Sequence, residues 1–339
     1  MIATKEASEH FGLTGPRLKQ LVKENGIPTV KLPNGFLKFP NETMAKLNNL
    51  RNIKYRKTVA TIAIEKGGSG KTVITLNLAL TAARYGLKVL VCDFDPECCA
   101  SLFLAPDNVE WRDLGSIYEV FEKDKQIIDY TKPSRFEGVD FLPGKILVRR
   151  LDKTLDSKNP KNILSSKMKI LREKYDLILF DLPPSFNKLC ASSYLTSDVV
   201  ICPVNSDVFS LDSLNLTIED IESACTEFEA NMPPIYVLKN RFAADHMRRK
   251  ASKVTSAELN RDFAESLLPM QIRASATIEN CLNAGITLYD APKSETGIEE
   301  IKRAFYELFN FICDRQDAEE TKGRAKSHIP KEEYVEAAP

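Results

Sequence analysis

Eight residues narrow the possible folds of this chain more than any others: Glu65 to Thr72, reading EKGGSGKT. They follow an apolar strand-like run, VATIAI at 59–64, and lead into a helix-like stretch, TVITLNLAL. A glycine-rich turn between strand and helix points consecutive backbone N–H groups at one spot, at the positive end of the helix dipole, which suits a phosphate. Gly67, Gly68 and Gly70 permit conformations and close approaches that a side chain would block. Lys71 can reach β- and γ-phosphates, and Thr72 can place its hydroxyl on Mg²⁺. The strict spacing GxxxxGK[ST] is not met, because Glu65 stands at its first glycine.

The rest of the sequence agrees with a phosphate loop. From Val59 to about Cys313 apolar runs alternate with helical stretches: 59–64, 88–94, 138–143, 176–182, 199–204 and 234–240. Continuous apolar strands separated by helices predict an α/β fold, a mostly parallel sheet with helices on both faces. Asp93 and Asp95 end the run KVLVCDFDP, and Asp181 ends DLILFDLPP. Carboxylates at the carboxyl edge of a parallel sheet sit where such sheets bind ligands. One can hold Mg²⁺ through water and another can orient an attacking water, the two tasks of a phosphoryl-transfer site.

Residues 1–50 read differently. A helix over Thr4–Phe11 is followed by a turn, a helix capped by Thr14 with Pro16 in its first turn, and Asn25-Gly26 as its end. Asn34-Gly35 inside VKLPNGFLKF predicts a hairpin, and a third helix runs from Pro40-Asn41 to about Leu50. Residues 51–57 read as a basic linker, 58–314 as the phosphate-loop domain, and 315–339 as a polar, disordered tail. The whole chain is neutral, with 47 Lys+Arg against 47 Asp+Glu, yet residues 1–57 hold 11 basic and 4 acidic side chains, a balance of +7. No apolar run nears the ~20 residues a membrane helix needs, and MIATKEASEH has no apolar signal core. A cytoplasmic location is expected. The eight cysteines form no CxxC pair and several lie in apolar runs, as small buried side chains in a reducing compartment would.

The stretch KGGSGKT…VLVCDFDPE…DLILFDLPPS resembles the ParA/Soj branch of the deviant Walker A ATPases, which also includes MinD and the nitrogenase iron protein. The resemblance runs from about Val59 to Phe311. It implies that Lys66, the extra lysine, crosses the interface of an ATP-bound homodimer to the partner's phosphates. Lys66, Gly67, Gly68, Ser69, Gly70, Lys71, Thr72 and Val73 would cradle ATP. Asp95 would position the lytic water, Asp93 would lie near the metal, and Asp181 would hold Mg²⁺ through water. Asn240, in VLKNRF, resembles the position that contacts the base; a strand-end turn cap is the other reading. Where the family often has Val, a second Thr, DPQ and Thr, this chain has Ser69, Val73, Asp95-Pro96-Glu97 and Leu182. Glu97 adds an acid beside the hydrolytic residue. Cluster cysteines, an amphipathic membrane helix at the chain end, and a tyrosine cluster are lacking, which sets aside the iron-protein, MinD-like and tyrosine-kinase branches.

The N-terminal pattern of helix, turn, helix and hairpin resembles a winged helix-turn-helix of the MerR/excisionase type. Arg17, Lys19 and Gln20 on the second helix would face base edges or phosphates, with Lys31 and Lys38 gripping the backbone. A helical appendage used for dimerisation is the alternative. A second basic cluster, Lys239 to Arg261, carries seven Lys/Arg against two acids. Arg248, Arg249 and Lys250 within it, and Arg273 beyond it, are the side chains that would bind DNA non-specifically, unless the run is a solvated face. The expected function is a ParA-type partition ATPase, stimulated by a ParB-like partner and able to repress its own operator. A nucleotide-sensing transcription regulator without a transport role is the rival.

Overall fold

Apolar residues five or six in a row can bury both sides of a strand only where helices cover both faces of a sheet. The computed structural model describes residues 1–155, 158–207, 209–242, 250–292, 295 and 297–316. Its strands are β1 (Ile2–Ala3), β2 (Val30–Lys31), β3 (Leu37–Phe39), β4 (Thr58–Ile62), β5 (Val89–Asp93), β6 (Lys132–Pro133), β7 (Val139–Leu142), β8 (Leu177–Asp181), β9 (Val199–Val204), β10 (Ile235–Asn240) and β11 (Leu267–Ile272). Every residue of β4, β5, β8 and β9 is buried.

Among the described residues, β4 to β11 form one eight-stranded sheet in the order β11-β10-β9-β4-β8-β5-β7-β6. All neighbours are parallel except the edge pair β6–β7. The expected α/β architecture is therefore present. Side chains of β4 alternate between two cores: Ala60 and Ile62 pack with the helices Lys71–Arg84 and Ile298–Ile312, whereas Val59 packs with Lys188–Thr196 and Phe209–Glu227. The register sets Ile62 opposite Asp181, and Asp181 opposite Asp93. The carboxyl ends of β4, β8 and β5 thus finish level, and the chain leaves central β4 there in the 64–70 loop.

The N-terminal helices fall at Thr4–Phe11, Gly15–Glu24 and Asn41–Leu50. Thr14 accepts from Arg17 N and so caps the second of them. The hairpin β2–β3 gains a third strand, β1, on the far side of β3. This module is docked on the sheet domain. Asn41 donates to the carbonyls of Ala83 and Leu87, and Asn48 to that of Tyr85 at 2.7 Å. These carbonyls lie at and just past the C-terminal end of the helix Lys71–Arg84, where helical partners run out; that of Ala83 also accepts from Gly86 N at 3.0 Å. A Cβ on Gly86 would lie 2.5 Å from Ala45 N, so the two units touch at backbone distance.

Residues 51–57, expected as a basic linker, pack against the end of the sheet domain. Ile53 is buried, Lys54 exchanges both backbone bonds with Gln316, Arg56 N donates to Cys313 O, and the Tyr55 ring lies 5.0 Å from that of Phe309. Basic letters hid its buried apolar ones. Arg315 and Gln316, the start of the expected tail, belong to this contact; residues 317–339 lie outside the described ones. All eight cysteines are free, seven of them buried and Cys99 exposed. No helix of the described residues is long and apolar enough to cross a membrane.

Candidate active site

The loop between β4 and the helix Lys71–Arg84 turns through left-handed conformations at Gly68 (φ 69°) and Gly70 (φ 90°). Gly70 has no room for a side chain either: a Cβ there would sit 2.7 Å from Asn240 Nδ2. Lys71 is buried at the first helical position, and its ammonium folds back to donate to the carbonyls of Ile64 (3.2 Å) and Lys66 (3.1 Å). Burial pulls its pKa below the ordinary lysine range, against the pull of Asp181 and Asp95. A cation held over the loop by two neutral carbonyls gains by exchanging them for an anion.

Asp181 is buried at the end of β8. Thr75 donates to its Oδ1 at 3.3 Å, and Thr72 lies close enough to hold its pKa down somewhat. Its Oδ2 is buried with no partner. Burial, with Asp93 and Asp95 nearby, pushes its pKa up to about 8. A buried carboxylate oxygen lacking a donor requires a proton or a cation. The hydroxyl of Thr72 and this oxygen are the hard donors that Mg²⁺ takes, which makes Thr72 and Asp181 the residues that fit such an ion.

Asp93 lies opposite Asp181 in the sheet. It is fully buried, and three protein donors occupy it: Ser101 N (2.8 Å) and Ser101 Oγ (2.6 Å) on Oδ2, and Asp95 N (3.2 Å) on Oδ1. The sequence places it near the metal, and its oxygens bond the turn 93–101. Burial raises its pKa to about 6 against these bonds. That turn presents Asp95, whose Oδ1 accepts from Glu97 N at 2.9 Å, while the Glu97 side chain is exposed.

A cleft of about 430 Å³ opens beside the loop, lined among others by Gly70, Val73, Asn205, Asn240, Arg241 and Arg273. Asn240 Nδ2 donates to Ser69 O (2.7 Å) and Asn205 Oδ1 (3.2 Å), tying the end of β10 to the glycine loop. Arg241 adds a bond to Gly68 O at 3.3 Å. Arg273, expected on DNA, lines this same cleft and pairs with Glu300 at 2.9 Å.

Lys66 turns to its own chain. Its ammonium donates to Asp207, and to Ser210 Oγ at 2.9 Å. Burial tends to raise the Asp207 pKa, but Lys66 and Ser210 outweigh it and hold the group below its ordinary range. Sequence reading missed Asp207, Ser210 and Arg241. Ser206-Asp207 before an apolar stretch signals a helix start, but nothing in the letters says that the cap also holds Lys66.

The remaining basic candidates lie elsewhere. Arg17, Lys19, Gln20 and Lys31 are exposed on the N-terminal module and Lys38 is half-buried. Glu24 engages two of them, lying 3.6 Å from Arg17 and accepting from Gln20 at 2.7 Å. Arg248 and Arg249 lie outside the described residues. Lys250 begins the helix Lys250–Asp262; its side chain lies outside them too.

A family model described as an AAA domain matches residues 57–233. The cell division protein PomZ of Myxococcus xanthus is 24% identical over 259 residues, 76% of this chain and 80% of that protein. A virulence plasmid ParA family protein, pGP5-D of Chlamydia psittaci, is 24% identical over 261 residues, covering 76% of this chain and 96% of its own length. The chain belongs to the ParA family. The fold agrees: the ATP complex of a singly substituted McdA from Cyanothece superposes with a TM-score of 0.65, at 21% identity, over 76% of this chain and 96% of that one. In this ParA-family protein the matched stretch holds the glycine loop, Asp93, Asp95 and Asp181. The module before residue 57 lies outside the family match.

Proposed function

We propose that this ParA-family protein is a DNA-partition ATPase that binds ATP with Mg²⁺, pairs with a second copy through Lys66, and coats DNA until a ParB-like partner triggers hydrolysis. The observation that carries it is the pairing of Lys71, parked on two carbonyls, with a buried Asp181 oxygen that lacks a partner. One group is short of an anion and the other of a cation, which a magnesium triphosphate supplies together. Lys71 and the N–H groups of Gly67 to Thr72 bind the phosphates. Thr72 and Asp181 hold the metal, which neutralises charge gathering on the phosphate oxygens. Asp95 orients the attacking water, and Asp93 acts on it by fixing the turn. The base lies in the cleft beside Asn240 and Val73. Lys66 reaches the partner's phosphates by leaving Asp207, so dimerisation competes with a contact inside one chain.

In this reading the N-terminal module binds DNA through Arg17, Lys19, Gln20, Lys31 and Lys38, allowing operator binding and autorepression. Arg248, Arg249 and Lys250 add non-specific contacts; Arg273, in the cleft, is a weaker candidate for that task. The decisive measurement is binding to random and operator duplexes with ATP, ADP and no nucleotide across a salt series. ATP-dependent binding to random DNA is expected, and Asp95→Ala is expected to keep ATP and dimerise while losing turnover. Normal turnover by Asp95→Ala would remove its catalytic role. One observation favours the rival regulator: the module is seated on the far end of the helix that starts at Lys71. Nucleotide-dependent binding to an operator, with none to random DNA, would decide for it.

A further inference from the structure

Between β7 and β8 the chain runs from Lys145 to Lys174 with ten basic residues against three acidic ones, a balance of +7. It folds into a cover of short helices, Ile146–Arg150, Leu151–Leu155, Pro160–Ile163 and Ser165–Lys174. Val148, Leu151, Leu155, Ile163, Met168 and Leu171 are buried in the core that includes Val59, which fixes the cover to that face of the sheet. The outward positions are free to carry either sign, and a solvated surface usually mixes them. Here Arg149, Arg150, Lys153, Lys158, Lys161 and Lys169 are exposed, and none of them has a carboxylate partner among the described residues. The ion pairs of the stretch lie at its two ends: Lys145 with Glu119 (2.7 Å), Arg172 with Asp198 (2.7 Å) and Lys174 with Asp140 (3.0 Å). The middle lysines bond neutral groups. Lys161 donates to Glu229 O at 2.8 Å and Lys167 to Lys125 O at 3.5 Å. Lys158 and Lys167 stand 5.7 and 5.5 Å from the centre of the Phe121 ring, so their ammonium groups lie within about 11 Å of each other. Exposed Glu122 and Asp124 flank that corner and are matched by exposed Lys123 and Lys125. Like charges gathered without acids favour an anion that spans them.

We propose that this cover is a duplex-DNA surface that grips phosphates without reading sequence. It rests on the DNA reading above and adds a place to it. The N-terminal module packs on the helix Lys71–Arg84, against the other face of the sheet. A duplex lying on the cover therefore leaves the module free for an operator. Duplex DNA carries a charge every ~1.7 Å of its length and so matches a broad face of one sign. An anionic membrane matches less well, because the apolar side chains of these helices are buried in the core and leave no apolar face to insert.

The test is binding of the full chain to a random duplex across a salt series, with Arg150→Gln, Lys153→Gln and Lys169→Gln combined. Each lost phosphate contact makes the plot of log affinity against log salt shallower by about 0.9. The triple variant should therefore lose about 2 to 3 units of slope, and about tenfold or more in affinity at ~0.1 M salt. Lys88→Gln, Arg112→Gln and Arg303→Gln combined remove the same charge elsewhere and should keep the parent's slope. Thermal melts should coincide, since all six side chains are exposed. An equal loss in both triple variants would reduce the effect to net charge and overturn the surface. If the cover variant keeps the parent's slope while Arg248→Gln with Arg249→Gln lowers it, the DNA reading stands and this surface falls. If the parent binds no duplex with ATP, ADP or no nucleotide, both fall. If the cover variant loses binding to phosphatidylglycerol vesicles but not to DNA, the face belongs to a membrane and the proposal is wrong.

Discussion

The helix Lys71–Arg84 has two ends that differ in how their polar groups are satisfied. At its start, Ser69 Oγ, Glu65 Oε1 and Asp181 Oδ2 are buried without partners, and Lys71 leans on loop carbonyls. At its finish, the carbonyls of Ala83, Tyr85 and Leu87 are taken by Asn41 and Asn48, and Arg84 forks onto Glu6 at 2.8 and 3.0 Å while lying 3.7 Å over the Tyr289 ring, with its Nε buried and without a partner. Buried groups without partners destabilise an empty protein, so they persist where something else completes them. Groups completed within the chain mark a joint. The same helix therefore begins in a binding site and ends in a domain contact.

Substitutions at the two ends should fail in opposite ways. Lys71→Ala removes the charge-assisted bond to phosphate, and ATP affinity should fall about 100-fold or more. The melting temperature should hold or rise, because a buried ammonium on neutral carbonyls is gone. Calorimetry of binding beside a thermal melt checks both halves, and a variant that unfolds would blur the contrast. Asn48→Ala at the other end strips the Tyr85 carbonyl of its donor and His10 of a partner. It should cost about 1–3 kcal/mol of stability. ATP affinity per folded molecule should stay the same, and a large loss of affinity would show that the ends are not independent.

The joint was less legible in the sequence than the site. EKGGSGKT, the DFD turn and Asp181 announced themselves through residue type and position, and the four central strands through runs of buried apolar letters. The three N-terminal helices were legible from Thr14, Pro16, Asn25-Gly26 and Pro40. β11 was missed because an edge strand alternates: Pro269 and Gln271 are exposed between buried Leu268, Met270 and Ile272. β1 is two residues long and exists through its pairing with β3. Asp93 shows the limit within the site. An acid two residues from another looks like a metal ligand, and only the packing of Ser101 shows that its oxygens are occupied. Asn41 and Asn48 read as ordinary helix letters, since no pattern marks a side chain that caps a helix from another part of the chain.

The two ends should also respond to pH in opposite directions, and this is the finer test. His10 is buried in the joint, bonded to Asn48 and Tyr306, with its ring 4.7 Å from that of Tyr85. Burial, then the charge of Arg315, lower its pKa from 6.5 to about 3. The folded joint thus refuses a proton that the unfolded chain takes below pH 6.5. This contribution is complete above that pH and is lost as pH falls toward 3, by at most about 1.4 kcal/mol per unit. Glu65 and Asp181, at the site, bind protons more tightly folded than unfolded, so their contribution is lost as pH rises from the ordinary carboxylate range to about 7 and about 8. Denaturant melts between about pH 5 and 6.5 therefore record a difference of two slopes. His10→Gln should remove the rising component, leaving stability that only declines with pH. If that variant keeps the parent's slope, the joint takes up the proton after all, and the division between the two ends of the helix has been drawn in the wrong place.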